Sequence, residues 1–317
     1  MHILCRSFFF IIYYYHVILF LVGGYSMEPN LSSLDTQSFC GEAPVWHPEK
    51  KRYFWVDTGN PECYSFKPGD EKHSTLKTVG HFQALGLREK GGFIAPLLEG
   101  IVLADENLSI IEELGNPIKD RPHLCIGDGT VGPDGCYYFG YLNMEVYDSK
   151  EGGIYRVNKD LSVEKVLGNL ALPNGLAFSP DGSIFYVTEM FAHRILAYRF
   201  DAKTGNISGE KELIRIPEEK GLPDGLICDR DGCLWSAHWQ GFRLTRYRPD
   251  GAIDREIPIP VPTPTCMGFG GPSLSTLLIT TARKGLSEQQ LADYPESGYT
   301  ILMETEFAGI VERRFAG

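Results

Sequence analysis

An all-β chain, a six-bladed β-propeller with a metal site in its central channel, is the fold predicted for residues 27–317. Three observations predict it. Strand-forming patterning runs almost unbroken from residue 40, turn signals recur about every 40 to 50 residues, and three of the segments before a turn share one layout. A β-sandwich would not require so regular a repeat, whereas a four-stranded propeller blade has that period.

The units run in order. Each begins at a turn signal: Pro48-Glu49, Lys90-Gly91, Pro133-Asp134-Gly135, Pro180-Asp181-Gly182, Arg230-Asp231-Gly232 and Gly271-Pro272. Each turn leads into an apolar, aromatic-rich strand: Tyr53-Phe54-Trp55-Val56, Phe93-Ile94-Ala95, Tyr137-Tyr138-Phe139, Ile184-Phe185-Tyr186-Val187, Leu234-Trp235-Ser236 and Leu277-Leu278-Ile279. Six units fill residues 40–317. One short helix is expected, from Ser287 to Tyr294, opened by a serine with Glu288 behind it.

Composition agrees with one large β domain. Hydrophobic residues make up 43% of the 317, enough for a filled core, and 35 glycines and 20 prolines without low-complexity runs suit many strands joined by tight turns. The net charge of −11 argues against nucleic acid or an anionic membrane surface as a partner. Eight cysteines show no CxxC pair and no zinc-ligand spacing. A cross-strand Cys228–Cys233 disulfide is sterically conceivable; buried free thiols in a reducing compartment are the preferred reading.

Residues 1–26 form a separate hydrophobic extension. Phe8 to Val22 is almost wholly apolar, shorter than the roughly 20 residues a membrane span needs, with Arg6 before it and a second methionine, Met27, after it. Start-site artefact, signal peptide and membrane anchor all stay open. The expected location is cytoplasmic, or secreted or periplasmic should the segment be a signal peptide.

The repeated layout carries the chemistry. In Gly41-Glu42-Ala43-Pro44-Val45-Trp46-His47-Pro48, Pro173-Asn174-Gly175-Leu176-Ala177-Phe178-Ser179-Pro180 and Pro223-Asp224-Gly225-Leu226-Ile227-Cys228-Asp229-Arg230, one oxygen-bearing side chain stands six residues before a turn. In a propeller that position lies on the innermost strand, so it becomes a ring of six: Glu42, Ala84, Gly127, Asn174, Asp224 and Thr265. Two carboxylates buried together cost on the order of several kcal/mol or take up protons. One hard divalent cation, Ca, Zn, Mn or Mg, removes the conflict, and oxygen ligands suit all four.

These residues carry a resemblance. Gly41-Glu42-Ala43-Pro44-Val45-Trp46, Leu172-Pro173-Asn174-Gly175-Leu176, Leu222-Pro223-Asp224-Gly225-Leu226 and Cys266-Met267-Gly268-Phe269-Gly270-Gly271 resemble the regucalcin (senescence marker protein), gluconolactonase and luciferin-regenerating enzyme family, in order over about residues 40–316. The resemblance implies a six-bladed propeller holding one divalent cation on Glu42, Asn174 and Asp224, with Asp224 also the general base for hydrolysis of a small lactone or related ester. It also implies alternatives: a non-enzymatic calcium-binding regulator, or a phosphotriesterase-like hydrolase as in the related paraoxonase and diisopropyl fluorophosphatase propellers.

The chain departs from the family at one corner. Members that take aldonolactones usually carry an Arg-x-Asn-Asp-Gly motif; here it reads Cys125-Ile126-Gly127-Asp128-Gly129. Cys125 and Gly127 replace the two sugar-contacting residues, Asp128 survives, and Arg121 is out of register to substitute. Glu145 matches an acidic substrate-contacting position of some members. The expected pocket is therefore less polar at this corner.

His238, on an inner strand of the fifth unit, could contact substrate or form a hydrogen-bonded wall, and Glu189 could support the ligands from behind. His123 and His193 fall in expected surface loops. The chain has no Gly-x-Ser-x-Gly elbow, Gly-x-Gly-x-x-Gly or P-loop, which argues against a serine triad and nucleotide cofactors.

Overall fold

The computed structural model describes residues 30–317; the 1–26 extension lies outside the described residues. Leu31–Gly317 forms one compact unit of six sheets, each the blade of a propeller and antiparallel but for a short parallel addition, Arg314–Phe315, beside Gly86–Arg88. Blade 1 consists of Gly41–His47, Arg52–Asp57, Glu62–Phe66 and Ser74–Lys77, in sheet order from the channel outward. The inner strands of blades 2 to 6 are Gly86–Arg88, Leu124–Val131, Pro173–Phe178, Leu222–Cys228 and Pro264–Gly270. They touch one another in cyclic order, with the last against Gly41–His47. The six turn signals fall where expected, each joining an inner strand to its second strand.

Why these segments form strands buried on both faces is visible in their alternation. In Arg52–Asp57, Tyr53 and Trp55 pack toward blade 6, whereas Phe54 and Val56 pack toward blade 2. The same division recurs round the ring, so six separate hydrophobic clusters fill the six interfaces between blades. A seventh, smaller cluster of Leu142, Leu172 and Met190, with Cys125, Leu222 and Trp239 packed against it, joins blades 3, 4 and 5.

Both ends of the chain help to close the ring. Leu31–Leu34 pairs with Thr300–Glu304 and supplies the outer strand of blade 6. The sequence reading started the propeller at residue 40 because Leu-Ser-Ser-Leu is too short and too polar to announce a strand. At the other end Ala308–Ala316 crosses the channel opening. Arg230 N donates to Ala308 O, Arg313 to Ser179 O, and Ala316 N to Gly135 O, while Arg314–Phe315 pairs with Leu87 and Arg88. Ile310–Arg313 line a cavity of about 90 Å³ with Pro44, Leu176 and Leu226 of the inner strands.

The helix forms at Glu288–Asp293, with Ser287 as a capping box with Gln290. The seven described cysteines are free thiols, including Cys228 and Cys233. Among the described residues no helix is long and apolar enough to cross a membrane.

The blade carrying Asp224 is fixed by a buried ionic knot at its first turn. Asp229, fully buried, accepts from Cys233 N (3.0 Å), Trp235 Nε1 (2.9 Å) and Arg246 Nε (2.8 Å), and Arg246 also pairs with Asp254 at 2.7 Å. Removing the Asp229 carboxylate leaves the buried Trp235 indole N–H and the Cys233 N–H without their acceptor and takes one of three carboxylates from the buried Arg246 guanidinium. Asp229→Ala is expected to cost about 3–5 kcal/mol, measured by denaturant unfolding, with Asp229→Asn recovering part of the loss.

Candidate metal centre

Glu42, Asn174 and Asp224 sit near the starts of three inner strands, and at each the ladder is broken: the register slips between Glu42 and Val45, Asn174 and Leu176, and Pro223 and Leu226. Such bulges re-aim a side chain while leaving the rest of the strand paired. Blade 3 has the same slip between Ile126 and Gly129, and there it presents Asp128. Ala84 of the expected ring lies just before its short strand, and Thr265 has a tie to make instead: its hydroxyl donates to Gly41 O at 2.5 Å.

The bulged residues meet across blades. Asn174 Nδ2 donates to Asp224 Oδ1, and Asn174 Oδ1 accepts from Gly175 N at 3.1 Å. Asp128 accepts from Gly129 N at 2.7 Å and from the backbone N–H of Leu176, which links blade 3 to the bulge beside Asn174. Asp224 is 2% exposed, while Glu42, Asp128 and Asn174 are half-buried along the channel. Gly175 makes the approach of blades 4 and 5 possible: at φ +38°, a Cβ there would lie 2.3 Å from Asp224 O.

Enclosure dominates the electrostatics. Burial lifts the Glu42 carboxyl well above the usual carboxylate range, with repulsion from Asp224 and Asp128 adding to it. Burial does the same to Asp224, followed by repulsion from Asp128. Asp128 is pushed up to about 6, again by burial, with its two backbone hydrogen bonds opposing. Lys284, exposed on the blade 6 loop, favours the charged forms of Glu42 and Asp224.

These groups fit a hard cation. Two carboxylates and a carboxamide converge, all donors are oxygen, and the carboxylates are held together where only protons or a positive charge relieve them. Among the described residues, no group of three or more His, Cys, Asp or Glu side chains is arranged to hold a metal ion. The proposed ligand set contains an amide.

The lead-in to each ligand is anchored by the end of the neighbouring strand. Asp57, Glu189 and His238 stand opposite Gly41, Pro173 and Pro223, the residues just before Glu42, Asn174 and Asp224. Asp57 accepts from Phe39 N (2.8 Å) and Cys40 N (3.0 Å), and Glu189 from Ala171 N (2.8 Å). His238 Nδ1 donates to Lys220 O at 3.0 Å. Burial pushes its pKa down to about 4, so at neutral pH it is an uncharged wall. His238 stands on the second strand of blade 5, Leu234–Trp239, rather than on the expected inner strand, and is 1% exposed. Asp57 was not singled out in the sequence, although its register opposite Gly41 was the available signal.

Of the other expected pocket residues, Cys125 and Gly127 are half-buried on the blade 3 inner strand. Cys125 is a thiol, its pKa raised by burial to about 11. Glu145 is exposed on the next loop, its backbone N–H held by Asn143 Oδ1 at 2.8 Å. His123 pairs with Glu151 at 3.4 Å, and His193 is half-buried.

Six blades around an axis with oxygen side chains at its mouth define the class of six-bladed β-propellers with a candidate cation site in the channel. Within that class the chain belongs to the SMP-30/gluconolactonase/LRE-like family, whose characteristic region matches residues 40–283. It is 35% identical to a 6-deoxy-6-sulfogluconolactonase of Pseudomonas putida, over 88% of this chain and 96% of that one. It is 30% identical to rabbit (Oryctolagus cuniculus) regucalcin, over 82% and 88%. The crystal structure of a calcium-binding protein, regucalcin, from Agrobacterium tumefaciens superposes with a TM-score of 0.84 at 26% identity, covering 89% of this chain and 96% of the other.

The raised carboxyls fix the sign of a pH effect. A group whose folded pKa is raised stabilises the fold below its unfolded value, here 3.8–4.5, and that contribution is lost as pH rises through the folded value, about 6 for Asp128 and well above the ordinary carboxylate range for Glu42 and Asp224. Chelator-treated Glu42→Gln protein is therefore expected to melt above wild type at about pH 8, the gap closing toward about pH 4. Adding Ca²⁺ or Zn²⁺ should raise wild type more than the variant.

Proposed function

We propose that the protein is a divalent-metal-dependent hydrolase of a lactone or related ester. The observation that carries the reading is the convergence of Glu42, Asn174 and Asp224 at equivalent bulged positions, with carboxyls lifted by burial. Relatives named 6-deoxy-6-sulfogluconolactonase, pentonolactonase and L-arabinolactonase support the reaction class.

Glu42, Asn174 and Asp224 would hold the cation, Ca, Zn, Mn or Mg, with water completing its shell. When bound, it polarises the substrate carbonyl and offsets the charge that develops on its oxygen. Asp224 is the base. It takes a proton from water as the water oxygen bonds to the carbonyl carbon; the ring C–O bond then breaks, and the proton passes to the departing alkoxide. The product is a hydroxy acid. Asp57, Glu189 and His238 hold the backbone behind these groups, and Asp128 ties blade 3 to the bulge beside Asn174. Asp128 and Glu145 are the polar groups proposed to orient substrate.

The test is an assay of metal-stripped protein reloaded with Ca²⁺, Zn²⁺, Mn²⁺ or Mg²⁺ in turn, against sugar lactones, alkyl lactones and phosphotriesters. Asp224→Asn is expected to lower kcat by roughly 10²–10⁴. Turnover that survives both chelation and Asp224→Asn refutes the reading. Tight calcium binding with no turnover of any ester would instead make the chain a non-enzymatic cation binder.

A further inference from the structure

The turn that follows Thr276–Thr281, the second strand of blade 6, lies at the channel mouth. Ala282 bridges to Cys40 beside blade 1. Arg283 N and Lys284 N then both donate to Phe39 O, at 3.0 and 2.9 Å, and Leu286 N closes on Arg283 O at 3.2 Å. Lys284 and Gly285 form the tip, and the φ of +77° at Gly285 is the one a type II turn needs at its third residue. On the other side, a Cβ at Gly285 would lie 3.5 Å from Trp239 Cζ2. Phe39 stands three residues before Glu42, and Trp239 pairs with Leu222, two residues before Asp224. The turn is therefore strung between the lead-ins of two carboxylates of the candidate centre.

Its two basic side chains part. Arg283 lies outward, where a Cβ at Gly298, just before the third strand of blade 6, would meet its Cγ at 2.8 Å. The Lys284 charge lies inward. Its field is felt at Cys40 and Glu42 of blade 1, at Cys125 of blade 3 and at Asp224 of blade 5. Blade 3 faces blade 6 across the ring, and Coulomb attraction falls with distance, so an ammonium from blade 6 reaches Cys125 from over the channel. Lys50, Lys77 and Lys220 pair with carboxylates; among the described residues the exposed Lys284 ammonium is in no such pair.

From this placement we infer that the substrate is a lactone bearing an anionic group, which the Lys284 ammonium holds at the channel mouth while the lactone ring lies at Glu42, Asn174 and Asp224. The inference rests on the lactone-hydrolase reading and names its substrate class. Glu42, Asp128 and Asp224 by themselves repel an anion. A divalent cation offsets two of their three charges and Lys284 offsets the third, so an anion meets a neutral mouth with an ammonium to pair with. A hydroxyl or amide arm accepts from the same ammonium without that charge attraction. An ammonium is a point charge on a flexible stem, so carboxylate, sulfonate and phosphate are all suited to it.

The experiment measures kcat/KM of the metal-loaded wild type, in low-salt buffer, for γ-lactones that differ only in the group ending one side arm: carboxylate, sulfonate, phosphate or carboxamide. The best of the anionic compounds is expected to exceed the carboxamide by about two- to fivefold, chiefly through KM, and its identity names the anion. The margin should shrink at about 0.5 M salt. Lys284→Met should bring the ratio to one or below, Lys284→Arg should keep it, and Arg283→Met should leave it as in the wild type. Glutarate, a dianion with no bond to hydrolyse, reads binding apart from turnover: it should raise the melting temperature of the metal-loaded wild type more than that of Lys284→Met. A wild-type ratio at or below one for all three anions, a ratio unchanged in Lys284→Met, or equal glutarate shifts in the two proteins overturns the inference and leaves the hydrolase reading standing. Failure to turn over any lactone with any metal overturns both. The wild-type comparison decides even if a variant does not fold.

Discussion

Three carboxylates share one narrow, protein-walled channel, and the rest of the molecule is organised around that constraint. Glu42, Asp128 and Asp224 come from blades 1, 3 and 5, so no local segment could create or relieve their repulsion. Burial is the largest cause of the upward pKa shift at each of the three. Without a counter-charge the three carboxyls are pushed toward their protonated forms. The fold therefore holds in place an arrangement that opposes its own stability at neutral pH, as is common where structure serves chemistry.

Holding it demands support at three levels. The bulges turn the side chains, and Gly175 lets neighbouring backbones close to a distance no Cβ tolerates. The last polar residue of each second strand then fixes the lead-in. That role is taken by a carboxylate in Asp57 and Glu189 and by an imidazole in His238, because the backbone group to be held differs. Asp57 and Glu189 meet N–H donors, whereas His238 meets the Lys220 carbonyl. An acid facing a carbonyl would have to stay protonated, and a neutral histidine can donate without that penalty.

Much of this was legible before any coordinates. The period of the turn signals gave six blades, and the shared register of Glu42, Asn174 and Asp224 selected the residues that the bulges bring to the channel. What stayed hidden depends on pairing between distant segments. Leu31–Leu34 is a strand only because Thr300–Glu304 lies beside it. Asp57 reads as the end of a strand until its partners Phe39 and Cys40 are known. His238 reads in sequence as an inner-strand residue that contacts substrate or forms a hydrogen-bonded wall; its place on the second strand and its bond to Lys220 O are tertiary facts.

The C-terminal crossing has a consequence for traffic. Ala308–Ala316 threads past blades 5, 4, 3 and 2 and lies across the far end of the channel. A molecule that reaches the carboxylates must then leave by the doorway it entered. Traffic to and from the carboxylates is thereby confined to the face opposite the C-terminal strap.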